Sequence, residues 1–582
     1  MANSRLRKLG NYLRPYWRMI LIGVIALLIV NLLGVYIPLL IRDSIDQLQG
    51  EFSYNQLSRV ALWLLFLASV MWCFRMLSRV VIFGAGRQVE FSLKQRIFQH
   101  LLSIEPEYFS DNRSGDLINR ATSDVDNIRR LVGFAVLSFI NIIFAYAFTL
   151  PVMLRIHVRL TLLALTVYPV MLITVQLFSG KLRKYQEEIQ VKLSDLSELI
   201  QEDMSGMALI RIYAQENQER EAFKQKNQQL FEANLKLART RNFLFPIIEG
   251  ISYVSLLILL WLGTGAIAAG QISVGDFIAL VLFVERLTFP TALLGFTISA
   301  YQQGEVSIDR VEAITQAKPK IKNHPQAIVI PSQDIQGAIT ARNLTYTYPG
   351  ALNAALYDLN FTIHPGETIA IVGSIGSGKT TLANAIPRLL NIQSGELFLD
   401  DCDITKLNLT TLRKAIAYVP QDSFLFSTSI KNNIRYGEPL IETEEVIFAA
   451  KQAQIHPEIL TFPQEYNTLV GERGITLSGG QRQRTSLARA LLSNAKVLIL
   501  DDALSSVDNE TATRILDSLS PTRAKKTVIF ISHQLSAAAT CDRILVMDEG
   551  KIVQNGTHQN LVNETGLYQS LWQQHQLKET FR

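Results

Sequence analysis

The sequence predicts a multidomain chain: a six-helix all-α transmembrane domain with long cytoplasmic helical extensions, followed by an α/β domain. Three observations carry that expectation. Six apolar runs of membrane-spanning length fall within the first 300 of the 582 residues. Two long, polar, helix-favouring stretches lie between them. After residue 337 no run approaches span length, and strand patterns alternate with helical ones around a glycine-rich loop.

Composition narrows the class. Charged residues make up 18% and AVILMFWYC 48%, whereas an ordinary soluble domain carries roughly 25% charged residues. Disorder is excluded, because a disordered chain would be polar and strongly charged. Cys73, Cys402 and Cys541 are odd in number, far apart and without metal-ligand spacing, which excludes a disulfide scaffold. A net charge of +5 is slight for this length, so no nucleic-acid partner is expected.

A helix needs about 20 apolar residues to cross a hydrocarbon layer of roughly 30 Å. Met19–Ile41, Leu131–Leu154, Leu160–Gly180 and Gly250–Gly270 carry no charge at all. Val60–Gly86 contains Arg75 and Arg79, and Phe277–Ala300 contains Glu285 and Arg286. The expected transmembrane domain is therefore 1–315, with spans near 19–41, 60–86, 131–154, 160–180, 250–270 and 277–300. Loop charge orients these spans. The N-terminal segment holds Arg5, Arg7, Lys8, Arg14 and Arg18; if it lies inside, so do loops 84–130 and 181–243, with 18 Lys and Arg between them. The outward loops hold only Arg42, Arg59, Arg155 and Arg159. The first run is too long for a signal peptide and lacks a small-residue cleavage site, so it reads as an uncleaved anchor.

The inner loops are long enough for structure of their own. At 1.5 Å per residue, 181–243 gives roughly 95 Å of helix, or two arms of about 50 Å each. Residues 84–130 give a shorter pair. Turns are expected at Ser114–Gly115–Asp116 and at Ser205–Gly206. Such hairpins serve either as plain solvated helices or as levers docking on a cytosolic motor, and the second half of the chain favours the lever. Residues 316–337 read as a Pro- and charge-rich linker, and 338–582 as the soluble α/β domain.

That domain opens with Gly373-Ser-Ile-Gly-Ser-Gly-Lys-Thr380, which fits G-x-x-x-x-G-K-[ST], after an apolar strand at Thr368–Val372 and before a helix from Thr381. Gly373, Ser374, Gly376, Ser377, Gly378, Lys379, Thr380 and Thr381 form the expected nucleotide-binding segment. Its glycines let backbone N–H groups close around phosphates at a helix N-terminus. Lys379 is placed to reach the β- and γ-phosphates and Thr380 to ligate Mg²⁺, so ATP and Mg²⁺ are the expected cofactors. Val497–Asp501 reads as a buried parallel strand ending in two carboxylates: Asp501 near the Mg²⁺, Asp502 placed to orient or deprotonate the attacking water. Ser478, Gly479, Gly480 and Gln481 open a further helix and form a second anion site. One phosphate loop already cradles the nucleotide, so a second γ-phosphate sensor suggests a site shared between two chains.

With these residues in this order, 338–582 resembles the ATPase domain of ABC transporters, a P-loop NTPase whose signature is LSGGQ. The resemblance implies further roles. Tyr348, in Tyr346-Thr-Tyr-Pro349, matches the aromatic that stacks on adenine. Gln421, in Tyr418-Val-Pro-Gln421, matches the metal-site glutamine that links nucleotide to the membrane domain. Asp508, in Ser505-Ser-Val-Asp508, matches the loop that contacts the partner, His533 the γ-phosphate switch histidine, and Gly471-Glu-Arg-Gly474 the segment that touches the coupling helices. Together with six spans, the chain resembles an exporter-type half-transporter, of the multidrug-resistance-like kind in bacteria. That implies a multi-pass protein of the bacterial inner membrane and a dimer with a second half-transporter. It also implies ATP-driven, alternating-access export of a hydrophobic or amphipathic small molecule, drug-like or lipid. The lack of an N-terminal peptidase domain weighs against a leader-cleaving peptide exporter.

One position departs from that pattern. Most such exporters carry glutamate after the Walker B aspartate; here it is Asp502, one methylene shorter, beside an intact signature. In heterodimeric exporters one chain has this combination, so the slow-site half of a heterodimer is favoured. A homodimer in which Asp502 acts with help from His533 or a water stays open, as does a regulatory subunit that binds nucleotide with little hydrolysis. In the membrane domain, Glu285 and Arg286 suit substrate contact or a packing role equally. Pro290 is expected to kink its helix, and Asn31 and Asn141 read as helix–helix hydrogen bonds. Trp63, Phe66, Trp72 and Phe134 suit an apolar cargo, and lipid contact as well.

Overall fold

The computed structural model describes residues 9–48, 54–471, 474–507, 511–512, 514–515 and 526–580. They form two compact units. One holds the residues up to Ser103 together with Asn112–Lys318, the other Ile104–Asp111 together with the chain from Pro319 onward.

In the first unit six helices are long and apolar enough to cross a membrane. They are α1 (Trp17–Leu48) and α2 (Tyr54–Leu101), then, after the short α3 (Pro106–Asp111) of the second unit, α4 (Ser114–Ile156), α5 (Val158–Ile212), α6 (Glu216–Ala268) and α7 (Val274–Gln316). Helices α2 and α4 to α7 run 43 to 55 residues, against about 20 needed to span the hydrocarbon. Each therefore continues far beyond the bilayer as the long extensions expected from the polar loops. The fifth apolar run overshoots its helix, which ends at Ala268, and α7 continues through Pro290.

Helix α7 supplies the centre of this unit. Ala279, Leu280, Phe283, Val284 and Leu287 are fully buried, and the Tyr168 hydroxyl of α5 donates to the Val284 carbonyl at 2.7 Å. Beyond the apolar layer α7 is tied to α4 by polar contacts. Ser307 Oγ donates to the buried Asp124 at 2.8 Å, and Arg310 meets Asp124 at 3.2 Å and Asp116 at 2.8 Å. Two π turns, Arg120–Asp124, which includes Asp124 itself, and Leu131–Ala135, interrupt α4 here. Each inserts an extra residue and shifts which side chains face α7.

Neither extension turns where a glycine predicted it. Gly115 lies in the first turn of α4, whose N-cap is Arg113, and Gly206 lies inside α5. Glycine in a helix interior costs only about 1 kcal/mol relative to alanine, which the surrounding helix formers offset. The second turn instead falls at Ala214, in the left-handed region at φ 52. Gln215 N–H there donates to Ile210 O and Tyr213 N–H to Leu209 O, both at 2.9 Å, closing the helix end. The paired arms of α5 and α6 are joined by Lys236–Glu188 at 3.3 Å and by Lys192 to Gln229 at 2.9 Å.

The second unit contains two sheets. A smaller one pairs β1 (Ile339–Tyr346) with β2 (Leu356–Ile363) and β4 (Leu397–Leu399), which pairs in turn with β5 (Cys402–Asp403). The larger sheet runs β10-β9-β3-β8-β7-β6, built from β3 (Thr368–Gly373), β6 (Ile416–Val419), β7 (Val497–Asp501), β8 (Thr527–Ile531), β9 (Arg543–Asp548) and β10 (Lys551–Gly556). Every residue of β3, β7 and β8 is buried, which is why these strands read as unbroken apolar runs. Strands β6, β7, β8, β3 and β9 are mutually parallel, so the ends of β3 and β7 emerge on one side of the sheet. Ligands of such sheets bind there.

The segment expected to be a linker is pinned to this unit. Ile321 and Ile335 are buried, Ile328 bridges to Leu407, and the Asp400 carboxylate accepts from the N–H groups of Gln336, Gly337 and Ala338 at 2.7 to 2.9 Å. Glu105, just before α3, likewise accepts from the Lys320 N–H at 3.0 Å.

Candidate nucleotide site

The phosphate loop leaves β3 at Gly373 and enters α8 (Lys379–Ala385). Two glycines here are steric requirements. A Cβ on Gly373 would lie 1.9 Å from the Met547 carbonyl oxygen, and one on Gly378, at φ 95, would lie 2.5 Å from that of Ala355. The loop is held from outside by Ser374 Oγ donating to Asp548 and by Gly550 N–H donating to Ser377 O at 3.2 Å.

Lys379 is buried. Its Nζ donates to the carbonyls of Ser374 and Gly373 at 2.7 and 3.1 Å and reaches Ser377 Oγ at 3.3 Å. Burial pushes its ammonium below the ordinary lysine range, and the Asp501 and Asp502 carboxylates oppose that shift. Thr380 Oγ1 donates to Asp501 Oδ1 at 3.2 Å. The other oxygen of Asp501 accepts from the Tyr418 hydroxyl at 3.2 Å. Asp501 is only 1% exposed, and burial lifts its carboxyl above the usual range although the Thr380 and Tyr418 hydroxyls pull the other way. Thr381 lies under Tyr348, with hydroxyls 3.2 Å apart, and the Tyr348 ring stands edge-on to Tyr346 at 5.0 Å.

Asp502 begins the turn after β7 in the left-handed region, at φ 48, which aspartate tolerates better than most residues. Its N–H donates to Ile531 O at 2.8 Å. Its Oδ1 is buried with no hydrogen-bond partner among the described residues. Beside it, Ser478 caps α9 (Gly479–Leu492) through a reciprocal pair with Gln481, and Gln481 Nε2 donates to Glu458 at 2.9 Å. A Cβ on Gly480 would lie 2.8 Å from the Ser506 carbonyl oxygen.

The structure thus brings Lys379, Thr380 and Asp501 together, with Tyr348 against Thr381. It leaves Ser478–Gln481 apart: no hydrogen bond joins them to the phosphate loop among the described residues. Gln421 and His533 are exposed. Asp508, and Glu472 and Arg473 of the Gly471–Gly474 segment, lie outside the described residues.

Two contributors escaped the sequence reading. Tyr418 joins Asp501 to Asn384, whose Oδ1 it approaches at 3.0 Å; the only signal was its place two residues ahead of Pro420. Gln483, buried just inside α9, bonds Ser505 Oγ at 3.0 Å and accepts from Ser506 N–H at 2.9 Å. It thereby fixes the signature helix to the turn that carries Asp502.

The donors around Asp501 are hydroxyl and carboxylate oxygens, with the orphaned Oδ1 of Asp502 nearby. This set fits Mg²⁺, a hard cation usually held by one or two carboxylates together with substrate phosphates. Among the described residues no group of three or more His, Cys, Asp or Glu could hold a metal by itself.

A phosphate-loop domain fused to six apolar helices is the make-up of an ATP-driven membrane transporter. Residues 20–291 match the ABC transporter transmembrane region family and residues 356–505 the ABC transporter family. A probable multidrug resistance ABC transporter ATP-binding/permease protein of Bacillus subtilis is 31% identical over 99% of this chain and 98% of its own length. An ATP-dependent lipid A-core flippase of Syntrophus aciditrophicus is 31% identical over 98% and 94%. The fold matches that of a bacterial Atm1-family ABC exporter with ATP bound at a TM-score of 0.78, with 23% identity over 96% of this chain and 99% of that one. The chain belongs to the ABC transporters, with transmembrane region and ATP-binding domain fused in one polypeptide. It is an exporter of that family, a multi-pass membrane protein whose ATPase is coupled to transport, and half-transporters of this kind generally dimerise.

Proposed function

We propose that this protein exports a hydrophobic or amphipathic compound, drug-like or lipid, by alternating access, as the slow-site half of a heterodimer. It sits in the bacterial inner membrane with its N-terminus and ATPase domain in the cytoplasm, an orientation supported by 18 basic residues on the inner loops against four outside. Residues 1–315 act as the transmembrane domain, 316–337 as the connection and 338–582 as the motor.

Lys379 binds the β- and γ-phosphates, the N–H groups of Gly373–Thr381 cradle them, and Tyr348 stacks on the adenine. Thr380, Asp501 and Gln421 hold Mg²⁺, which when bound neutralises charge on the phosphate oxygens. Asp502 orients the attacking water and His533 faces the γ-phosphate. Ser478, Gly479, Gly480, Gln481 and Asp508 serve the nucleotide of the partner half. The separation of Ser478–Gln481 from this chain's own phosphate loop supports that sharing.

The observation that carries the slow-site reading is Asp502 itself. Its Oδ1, buried and without a hydrogen-bond partner among the described residues, is available to a water, but the arm is one methylene shorter than the glutamate the resemblance leads one to expect. A misplacement of about 1 Å can cost on the order of 10²-fold in rate. The test compares ATP turnover of the purified chain alone with that of the chain and any second half co-purified from its native membrane. Slow turnover alone, raised by the partner, is expected. Ordinary turnover alone, abolished by Asp502→Asn, would establish the homodimer instead.

The raised pKa of Asp501 adds a pH dependence. Its protonated form is favoured in the folded domain, so this contribution to stability is present in acid and lost as pH rises through the raised value. Binding of magnesium–ATP requires the ionised form. Affinity measured by titration calorimetry should therefore fall as pH drops through that value. The slope should flatten in Asp501→Asn, and be absent for ATP without magnesium.

A further inference from the structure

A cavity of about 490 Å³ opens among α1, α2, α4 and α7, and its chemistry is cationic. Arg75 and Arg79 of α2 and Arg286 of α7 line it, against one carboxylate, Glu285. None of these four forms an ion pair among the described residues. Arg75 Nη2 meets only the thioether of Met71, at 3.7 Å. Arg286 Nη2 donates to the main-chain oxygen and to Oδ1 of Asn31, both at 3.1 Å, while its Nε is buried without an acceptor.

The Arg286 position is built rather than incidental. A Cβ on Gly34 would fall 1.3 Å from Arg286 Nη1, so a larger residue there would displace the guanidinium from this position. Asn31 is itself oriented by Nδ2 bonds to Leu27 O at 2.9 Å and to Asn141 Oδ1 at 3.1 Å. Counting from the start of α7 at Val274, Arg286 lies roughly 18 Å along the axis, near the middle of a layer of about 30 Å. An ionised group at that depth is costly unless it faces a partner or an aqueous cavity.

Packing accounts for part of this arrangement. The Asn31 bonds staple α7 to α1, as helix–helix hydrogen bonds do in membranes. They leave Arg75, Arg79 and the Arg286 Nε without countercharge, and gathered like charges repel one another. The remaining wall is mixed: Asn31, Ser78, Ser138 and Asn141 are polar, while Leu282, Phe289 and Leu293 offer an apolar face to a tail. Guanidinium groups bind carboxylate and phosphate in a paired fork geometry. A cationic cargo would meet three positive groups and one negative.

We propose that this cavity binds the headgroup of an anionic amphiphile, a phosphate or carboxylate on an apolar tail, as the exporter's cargo. The assignment deepens the exporter reading and rests on it. Full-length protein, with any half that co-purifies, is equilibrated with vesicles of phosphatidylglycerol and phosphatidylcholine, and the retained lipid is counted by native mass spectrometry. Phosphatidylglycerol should be retained over phosphatidylcholine. The double variant Arg75→Gln/Arg286→Gln should lower that preference roughly 10- to 100-fold, the effect of losing charge-assisted bonds. Arg286→Lys, which keeps the charge but not the fork, should keep only part of the preference, and Arg155→Gln, outside the cavity, all of it.

Competitors identify the source of the anion. Displacement by a long-chain fatty acid extends the site to carboxylates, and displacement by phospholipid alone confines it to phosphate headgroups; both support the assignment. Displacement by inorganic phosphate as effective as by lipid would overturn it, as would equal retention of phosphatidylcholine or a preference untouched by the double variant. Binding is read without turnover. A lipid preference that survives where ATP drives no transport would therefore support this site while sinking the exporter reading.

Discussion

Asp502→Glu is expected to raise ATP turnover at this chain's own site by about 10²-fold. The added methylene carries the carboxylate a little over 1 Å further toward a water on the γ-phosphate, and Asp502 Oδ1 has no hydrogen-bond partner to lose among the described residues. Two effects oppose the gain. Position 502 is left-handed, at φ 48, where glutamate is less at ease than aspartate; a left-handed residue of ordinary type costs roughly 1–2 kcal/mol. Burying a longer acid beside Asp501, already lifted by burial, also disfavours ionisation. The backbone cost stays below the roughly 2.7 kcal/mol that a 10²-fold change in rate represents. The gain should therefore survive, with a small loss of thermal stability. The measurement is ATP turnover of the dimer this chain forms, with the partner's own catalytic carboxylate removed if a partner co-purifies. Unchanged turnover would mean that arm length does not limit this site.

The legible parts of this protein are those whose physics is local in sequence. An apolar run such as Met19–Ile41 must bury its backbone groups in a helix wherever it crosses lipid, so the six helices followed from composition alone. The phosphate loop was legible because eight contiguous residues carry it, with its strand and helix on either side. Pairings across the fold were not legible. Tyr418 and Asp501 are 83 positions apart and meet because β6 and β7 lie side by side in parallel register. Gln483 reaches Ser506 across 23 positions because the turn after β7 folds back on α9. The packing of Lys318–Gly337 was not legible either. Its prolines and charges suggested a linker, and two buried isoleucines and three N–H groups facing one aspartate hold that linker in place. At Gly206 the turn-forming residue was real and the turn was not. Ala214 takes the left-handed position instead, set by where the pairing of the two arms ends.

Lys379→Met should lower ATP turnover by roughly 10²- to 10³-fold, the scale seen when a preorganised donor to developing negative charge is removed. The lysine is held in advance: three bonds to Ser374 O, Gly373 O and Ser377 Oγ keep Nζ inside the loop. Its charge also faces both Asp501 and Asp502, whose carboxylates oppose the lowering of its pKa by burial. A methionine of similar length fills the same space without that charge. The expected stability change is small, because two terms oppose each other. Removing the ammonium relieves the burial that depresses its pKa, and it leaves the Gly373 and Ser374 carbonyls without their donor. Each is worth roughly 1–3 kcal/mol, with opposite sign. A thermal midpoint within a few degrees of the parent, alongside the collapse of turnover and of nucleotide affinity, is the expected pair of readings. A collapse of the midpoint instead would mean that Lys379 chiefly stabilises the loop. The charge-retaining Lys379→Arg separates the cases further. The planar guanidinium cannot reproduce the three bonds that Nζ makes to Ser374 O, Gly373 O and Ser377 Oγ. It should therefore lose turnover despite keeping its charge, because position as well as charge is required.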